Sequence, residues 1–206
     1  MIRFVAVSAL ALLTLSACDR SQVPAAPASS SEPAVVETTS PATPPVAADV
    51  LTAEGLGPAR IGMSLADLTA AWGADANPGA VGGADPQACD QFHPARAPQG
   101  VSVMVQNGVL TRITLMRDAA IKTDRGIGLG DQAAAVKQAY GDTLIAQPHK
   151  YEAAPAEDLF AWAKGGSSQY VTDATARGMR YEVGSDGKIK MIHAGDPSIQ
   201  LVEGCA

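Results

Sequence analysis

The chain has few basic residues, few aromatic residues and no recognisable catalytic motif. Lys and Arg together number 15 against 21 Asp and Glu, and no cluster of Lys or Arg occurs along the sequence. A chain with this charge lacks the basic surface that nucleic acids and anionic lipids bind. The motifs GK[ST], HExxH and GxSxG are also absent, which argues against several common nucleotide, zinc and serine chemistries. We therefore expect a protein that is not an enzyme, has no cofactor and does not bind nucleic acid.

The first eighteen residues predict export from the cytoplasm. Residues 1–3 form a short positive start, and residues 4–15 form an apolar run too short to span a bilayer. The run ends in Leu15-Ser16-Ala17-Cys18, which resembles the lipobox of bacterial lipoproteins. That resemblance implies cleavage after residue 17 and lipidation of Cys18, so we expect an anchor in the bacterial cell envelope, facing the periplasm, in either membrane. An ordinary signal peptide followed by an incidental cysteine is the alternative.

Residues 18–49 contain the lipidated Cys18 and predict a disordered tether. The stretch is rich in Pro, Ala, Ser and Thr and has no aromatic residue. Such a composition buries too little apolar surface to offset the entropy lost on ordering. The folded part is expected to begin near residue 50.

Two cysteines, Cys89 and Cys205, remain once Cys18 carries lipid. In an oxidising compartment two cysteines allow one intramolecular pairing, so we predict a Cys89–Cys205 disulfide. Two free thiols, or an intermolecular bond through Cys205, are the alternatives. His93 lies four positions after Cys89, but no further ligand lies near it in sequence, and we expect no metal site.

Two segments of the chain match each other at an offset of 68 residues: RIGMSLADLTAAWG at 60–73 and GLGDQAAAVKQAYG at 128–141. In both, apolar residues recur at i, i+3 and i+7, which predicts one buried helix face, and a glycine follows the last periodic residue. The three glycines at 126, 128 and 130 could suggest a phosphate loop. Only Gly130 has a glycine counterpart in the first segment, so we interpret them as a helix entry.

A second matching pair of segments predicts two β-hairpins. Residues 101–115 and 179–193 both alternate apolar and polar residues around a turn, at Asn107-Gly108 and Asp186-Gly187. Three-residue loops would place Val105 opposite Val109 in the first hairpin. In the second they would place Val183 opposite Ile189 and Tyr181 opposite Met191.

These features predict an α+β fold made of two repeats, each a short helix followed by a small antiparallel β-sheet, packed as one unit. The expected boundaries are 50–117 for the first repeat and 118–206 for the second. Residues 62–64 (Gly-Met-Ser), Leu68, Trp72 and Gly73 resemble the helix motif of the BamE-like (SmpA/OmlA) and β-lactamase-inhibitor-like envelope proteins. That resemblance implies a non-enzymatic protein that binds another envelope protein, as an assembly factor or an inhibitor.

Aromatic residues of the second repeat are the candidate binding residues. Tyr151, Trp162 and Tyr170 lie in a stretch of irregular composition, and aromatic side chains are favoured at binding sites. The alternative, favoured because so few aromatic residues are available, is that Phe160 and Trp162 are core residues. A carbohydrate-binding module for peptidoglycan or surface glycan, with Trp162 and Tyr151 as stacking platforms, is the alternative function. A hydrolase with unrecognised catalytic residues is a third, and the adjacent carboxylates Glu157 and Asp158 are interpreted as part of a solvated loop.

Overall fold

Seven antiparallel strands form the largest element of the structure, a computed structural model that describes residues 50–80 and 82–205. The leader, Cys18 and the tether of the sequence prediction lie outside the described residues. In spatial order the strands are β4 (Cys89–Phe92), β5 (Val101–Gln106), β6 (Val109–Leu115), β11 (Ile189–Gly195), β10 (Arg177–Val183), β9 (Glu157–Lys164) and β8 (Ile145–Pro148).

A second, smaller sheet and two helices complete the layer structure. The small sheet has the order β3 (Ala59–Arg60), β2 (Gly55–Leu56), β1 (Val50–Thr52) and β7 (Lys122–Thr123). The helices are α1 (Leu65–Trp72) and α2 (Ala133–Tyr140). Short 3-10 helices follow at Gly141–Thr143 and Pro197–Gln200. No helix among the described residues is long and apolar enough to cross a bilayer.

The predicted fold class is wrong, because the two halves do not carry separate small sheets. Strand β6 pairs with β11, and this joins the strands of both halves into one sheet of seven. The small sheet likewise combines β1 with β7, which comes from later in the chain. Each helix has only eight residues. The protein is therefore mostly β, and the shared sheet removes the unpaired edges that two separate sheets would have left exposed.

The helices lie at equivalent positions of the two matching segments, and local sequence explains both. Ser64 caps α1, because its Oγ accepts a hydrogen bond from the Asp67 amide at 3.1 Å. Leu68 and Trp72 face the core. In α2 only Val136 is fully buried, and Gln132 provides no side-chain cap.

Backbone amides of the glycine-rich segment before α2 are hydrogen-bonded within the chain. The Gly130 amide donates to Ile189 O at 2.9 Å and the Ala133 amide to Gly187 O at 3.0 Å. The segment before α1 makes the equivalent bonds, from Gly62 to Leu110 and from Leu65 to Gly108. Each helix entry is thus fastened to the hairpin of its own half, which accounts for the glycines structurally.

Both predicted hairpins are present, but neither follows the predicted register throughout. Asn107 and Gly108 have φ of 49° and 76°, as in a two-residue type I′ turn, and Gln106 therefore pairs with Val109. In the second hairpin Val183 pairs with Ile189 as predicted. A register shift beside that pair then places Tyr181 opposite Ile192 instead of Met191, as a β-bulge does.

The two faces of the large sheet have different characters. One face is aliphatic and forms the core with the helices and the small sheet. It carries side chains such as Val103, Ile113, Leu159, Tyr181 and Ile192. The other face, here called the polar face, carries Arg112, Thr114, Asp158, Arg180, Glu182 and His193, which alternate with the core residues along their strands.

A C-terminal segment, residues 196–205, covers part of the polar face. Its 3-10 helix packs against β6, β10 and β11. The buried Arg112 guanidinium donates to Ser198 O at 3.0 Å and to Leu201 O at 2.9 Å. The predicted Cys89–Cys205 disulfide is confirmed, with a Cα–Cα distance of 5.4 Å, and it joins this segment to the edge strand β4.

Candidate functional site

A cavity of about 170 Å³ opens on the polar face where β8 and β9 end the large sheet. Strands β8 and β9, the loop after β9 and the C-terminal segment all contribute to its wall. The polar lining consists of Gln147, Asp158, Ser167, Gln169 and Gln200, and the aromatic and aliphatic lining of Ile145, Phe160, Trp162, Tyr170 and Val202. The described residues that line it include no Lys, Arg or His. The cavity therefore combines aromatic rings with amides and one carboxylate.

Trp162 forms a half-buried wall of this cavity. Its ring stacks beside that of Phe160 at an interplanar angle of 13°, with the ring centroids 6.5 Å apart. On the neighbouring strand a Cβ at Gly178 would come 2.7 Å from Trp162 Cε3, and a side chain at Gly166 would overlap the indole. Two glycines thus make room for the ring.

Tyr170 lies at the mouth of the cavity and is 66% exposed. Its loop is held in place by Gln200, whose Oε1 accepts from the Val171 amide at 2.8 Å and whose Nε2 donates to Val171 O at 2.8 Å. The same Nε2 donates to Pro197 O at 3.0 Å. This side-chain amide therefore fixes the backbone beside Tyr170 as a neighbouring strand would.

A buried group of charged side chains lies next to the cavity. Arg180 is 1% exposed, and its Nη2 donates to Glu182 Oε2 at 3.3 Å and to His193 Nε2 at 2.9 Å. Its Nε lies 3.7 Å from Asp158 Oδ1. Burial raises the pKa of Asp158, against the opposing effect of the Arg180 charge. Asp158 also lines the cavity, so it connects the buried charges with the cavity.

His193 is neutral, and its tautomer follows from its partners. Because a guanidinium can only donate, His193 Nε2 accepts from Arg180, and Nδ1 carries the proton. That proton is donated to Thr114 Oγ1 at 3.0 Å. Burial, reinforced by the charges of Arg180 and Arg112 and opposed by Glu182, lowers the pKa of His193 to about 3.

Several polar atoms of this group of side chains have no hydrogen-bond partner among the described residues. Asp158 is 4% exposed, and among the described residues its Oδ1 finds no hydrogen-bond partner. Arg180 Nε and Nη1 are equally without one in this part of the chain. A separation of 3.7 Å is too long for a hydrogen bond between Asp158 and Arg180. Asp158 lines the cavity but Arg180 does not, so a ligand hydroxyl would meet this group through the Asp158 carboxylate, to which it can donate.

The three binding residues predicted from the sequence do not all line the same cavity. Trp162 and Tyr170 line the same cavity, whereas Tyr151 is outside it. The Tyr151 ring is 63% exposed, its hydroxyl donates to Glu203, and Lys150 Nζ lies 5.1 Å from the ring centroid. Phe160, the alternative core residue, is only 5% exposed and stacks on Trp162.

The acidic pair Glu157–Asp158, expected in a solvated loop, lies instead on strand β9. Sequence reasoning missed the buried group of Asp158, Arg180, Glu182 and His193. The available signal was the alternation of Met179, Arg180, Tyr181, Glu182 and Val183, which places two charges on one sheet face.

A larger cavity of about 700 Å³ lies at the opposite end of the large sheet, where the 73–100 stretch meets Arg117 and Asp118. Several of its polar groups are already engaged. His93 Nδ1 pairs with Val101 O at 2.7 Å, Asp118 accepts from Gln99, and Asp75 Oδ1 accepts from the Asn77 amide at 2.9 Å. Among the described residues that line this cavity, none has a buried polar atom without a hydrogen-bond partner, as Asp158 has. The described residues also contain no group of His, Cys, Asp and Glu able to hold a metal ion.

Compared with family models, with curated proteins and with solved structures, the chain matches none of them. The resemblance to BamE-like proteins therefore stays a prediction.

Proposed function

We propose that the protein is a non-enzymatic lipoprotein of the bacterial cell envelope, anchored through Cys18, whose folded part binds a glycan in the Trp162–Tyr170 cavity. The observation that carries this proposal is a cavity walled by Trp162 and Tyr170 that also contains a buried carboxylate, Asp158, whose Oδ1 has no hydrogen-bond partner among the described residues. Aromatic rings present flat apolar surface to a ligand, and a carboxylate and amides accept and donate to its hydroxyls.

The composition of the cavity favours a sugar over an apolar ligand. Two glutamine side chains of the lining, Gln147 and Gln169, contribute both donors and acceptors, whereas the Gln200 amide is already engaged with Val171 and Pro197. Large apolar side chains exposed on the described surface are few: Leu65, Val109, Tyr151 and Tyr170. The described surface therefore has few large apolar side chains that an apolar ligand could contact, which again favours a polar ligand.

Co-sedimentation of the full chain, kept in mild detergent, with insoluble peptidoglycan sacculi and with chitin tests the proposal. Tyr170→Ala should weaken binding about two- to twelvefold, as expected for the loss of one aromatic contact of roughly 0.5–1.5 kcal/mol. Tyr151→Ala is a matched control, because Tyr151 is exposed to nearly the same extent but is outside the cavity.

Two outcomes would overturn the glycan proposal. One is a wild-type chain that sediments with neither polymer beyond its level in a polymer-free control. The other is equal loss of binding in the Tyr170→Ala and Tyr151→Ala variants, since the cavity would then have no special role.

Binding to another envelope protein is the second candidate function, and the setting of Tyr151 favours it. Glu203 of the C-terminal segment holds this exposed ring by accepting from its hydroxyl and from Lys150 Nζ, the latter at 2.6 Å. An ordered exposed tyrosine is a typical anchor of a protein interface. Cross-linking in cells should then enrich one envelope protein with the wild type and lose it with Tyr151→Ala. Enrichment that does not depend on Tyr151 would contradict this assignment.

A further inference from the structure

Tyr170 separates the first cavity from a second one on the same face of the large sheet. The second cavity has a volume of about 280 Å³, and its wall includes Tyr170, Thr172, Ala174 and Asp196. The consecutive residues Leu201 and Val202 line one cavity each. The two cavities are therefore neighbours with one aromatic side chain in common.

The volumes indicate that the cavities act together. At about 170 and 280 Å³, each is smaller than the roughly 300–1,000 Å³ typical of small-molecule sites, whereas the two combined fall within that range. The residues that line the two opposite ends of this pair of cavities are far apart. Gln147 on β8 and Gln106 on β5 are five strand positions apart, roughly 24 Å at the usual spacing between neighbouring strands. A site of this length suits an extended ligand better than a compact one.

The charges of the residues that line the two cavities further restrict the charge of the ligand. Asp158 lines the first cavity and Asp196 the second, and in the part of the chain that the structure describes no Lys, Arg or His lines either one. An anionic sugar would meet like charges in both cavities without a lining cation to pair with. A neutral chain of sugar units offers hydroxyls that donate to both carboxylates.

We propose that the two cavities are subsites of one site for a neutral oligosaccharide of at least two sugar units, with Tyr170 contacting the chain between them. This inference rests on the proposed function and specifies its ligand. One unit occupies the first cavity, where a hydroxyl donates to the Asp158 carboxylate, and the chain continues past Tyr170 towards Thr172 and Asp196.

Titration of the full chain with β-1,4-linked N-acetylglucosamine oligomers of one to six units tests the inference. Affinity should rise on the order of tenfold or more from the single sugar to the oligomer that fills both subsites, and then level off. Ala174→Trp, which places an indole in the second cavity, should abolish that rise but leave the affinity for the single sugar unchanged. Ala134→Trp, on the exposed surface of α2, is the matched control and should behave as the wild type.

Each remaining outcome separates this inference from the proposed function. If the single sugar and the oligomers bind equally and Ala174→Trp has no effect, the second subsite is wrong while a glycan site at Trp162 stands. If uronic acid oligomers bind more tightly than neutral ones, the neutral ligand is wrong. If no sugar of any length binds, the proposed function fails and this inference fails with it.

Discussion

The indole of Trp162 lies across Gly178, its cross-strand partner in the β9–β10 ladder. A Cβ at Gly178 would come 2.7 Å from Trp162 Cε3 and 3.0 Å from Ala161 O, which is closer than side chains tolerate. Aromatic coverage of a strand glycine is a known means of stabilising a sheet where glycine leaves a gap. The same contact sets the position of a ring that lines the candidate site, so stability and binding depend here on one residue without a side chain.

Gly178→Ala should therefore destabilise the fold and move the indole. We expect a loss of about 1–3 kcal/mol, the usual cost of overpacking, together with a changed tryptophan emission spectrum and weaker glycan binding. Urea unfolding and fluorescence on the same samples measure both effects. Gly79→Ala is the control, because a Cβ there would meet nothing closer than Asn77 Oδ1 at 4.0 Å. Equal stability of the two variants would contradict the packing described for Trp162.

Local features of this fold could be predicted from sequence, whereas the pairing between its halves could not. Helix caps, the Asn107-Gly108 turn and the apolar faces of the strands are encoded by neighbouring residues. The β6–β11 pairing joins Leu115 to Ile192, and nothing in either strand marks its partner. Because the sequence does not reveal this pairing, it predicts two small sheets in place of one sheet of seven strands, and the predicted fold class was wrong for this reason.

The charged part of the candidate site was missed for a related reason. Alternation along β10 places Arg180 and Glu182 on one face, but a polar face normally indicates solvent. Here the C-terminal segment covers that face, and so Arg180 is 1% exposed. Whether a chain end folds back over a sheet is a tertiary property. Trp162 and Tyr170 could be named beforehand because aromatic residues are rare in this chain.

Removing the Cys89–Cys205 disulfide should lower the thermal stability substantially. The bond closes a loop across a sequence separation of 116 residues, and on the chain-entropy model it contributes roughly 4–5 kcal/mol. For a folded part of this size that corresponds to a fall in Tm on the order of 10 °C in the Cys89→Ser, Cys205→Ser double variant, measured by calorimetry. Adding reductant should lower the Tm of the wild type and leave the double variant unchanged. A wild-type Tm that is insensitive to complete reduction would rule out the bond as a stabiliser.

His193 should make the fold less stable as the pH falls from 7 to 5. The folded chain keeps this side chain neutral with a pKa of about 3, whereas an unfolded chain protonates it near pH 6.5. Between these values the unfolded state binds more protons, so the free energy of unfolding decreases as the pH is lowered through 6.5. The loss by pH 5 is up to about 2 kcal/mol.

Urea denaturation at a series of pH values measures this slope. In His193→Gln the side chain keeps an acceptor for Arg180 and a donor for Thr114 but cannot titrate. We expect a less stable protein with a much flatter pH dependence between 7 and 5. Identical slopes in the wild type and in His193→Gln would show that other groups are responsible.

Gln200→Glu should release the loop that carries Tyr170 while leaving most of the fold intact. Glutamate retains the oxygen that accepts from the Val171 amide, but it loses the donations to Val171 O and Pro197 O and places a negative charge against those carbonyls. Two lost hydrogen bonds in a partly buried setting cost about 1–3 kcal/mol locally. The Val171 amide should then exchange with solvent faster, and the affinity for glycan should fall, because Tyr170 is no longer held at the cavity.

Hydrogen exchange followed residue by residue distinguishes this positioning role from general destabilisation. Faster exchange should be confined to the 167–172 loop and the 3-10 helix at Pro197–Gln200, with the central strands β6, β10 and β11 unaffected. Gln138→Glu on the exposed side of α2 introduces the same charge away from the site and should change neither exchange nor affinity. Unchanged protection of the Val171 amide in Gln200→Glu would show that Gln200 does not hold the loop, and weaker binding in that variant would then require another cause.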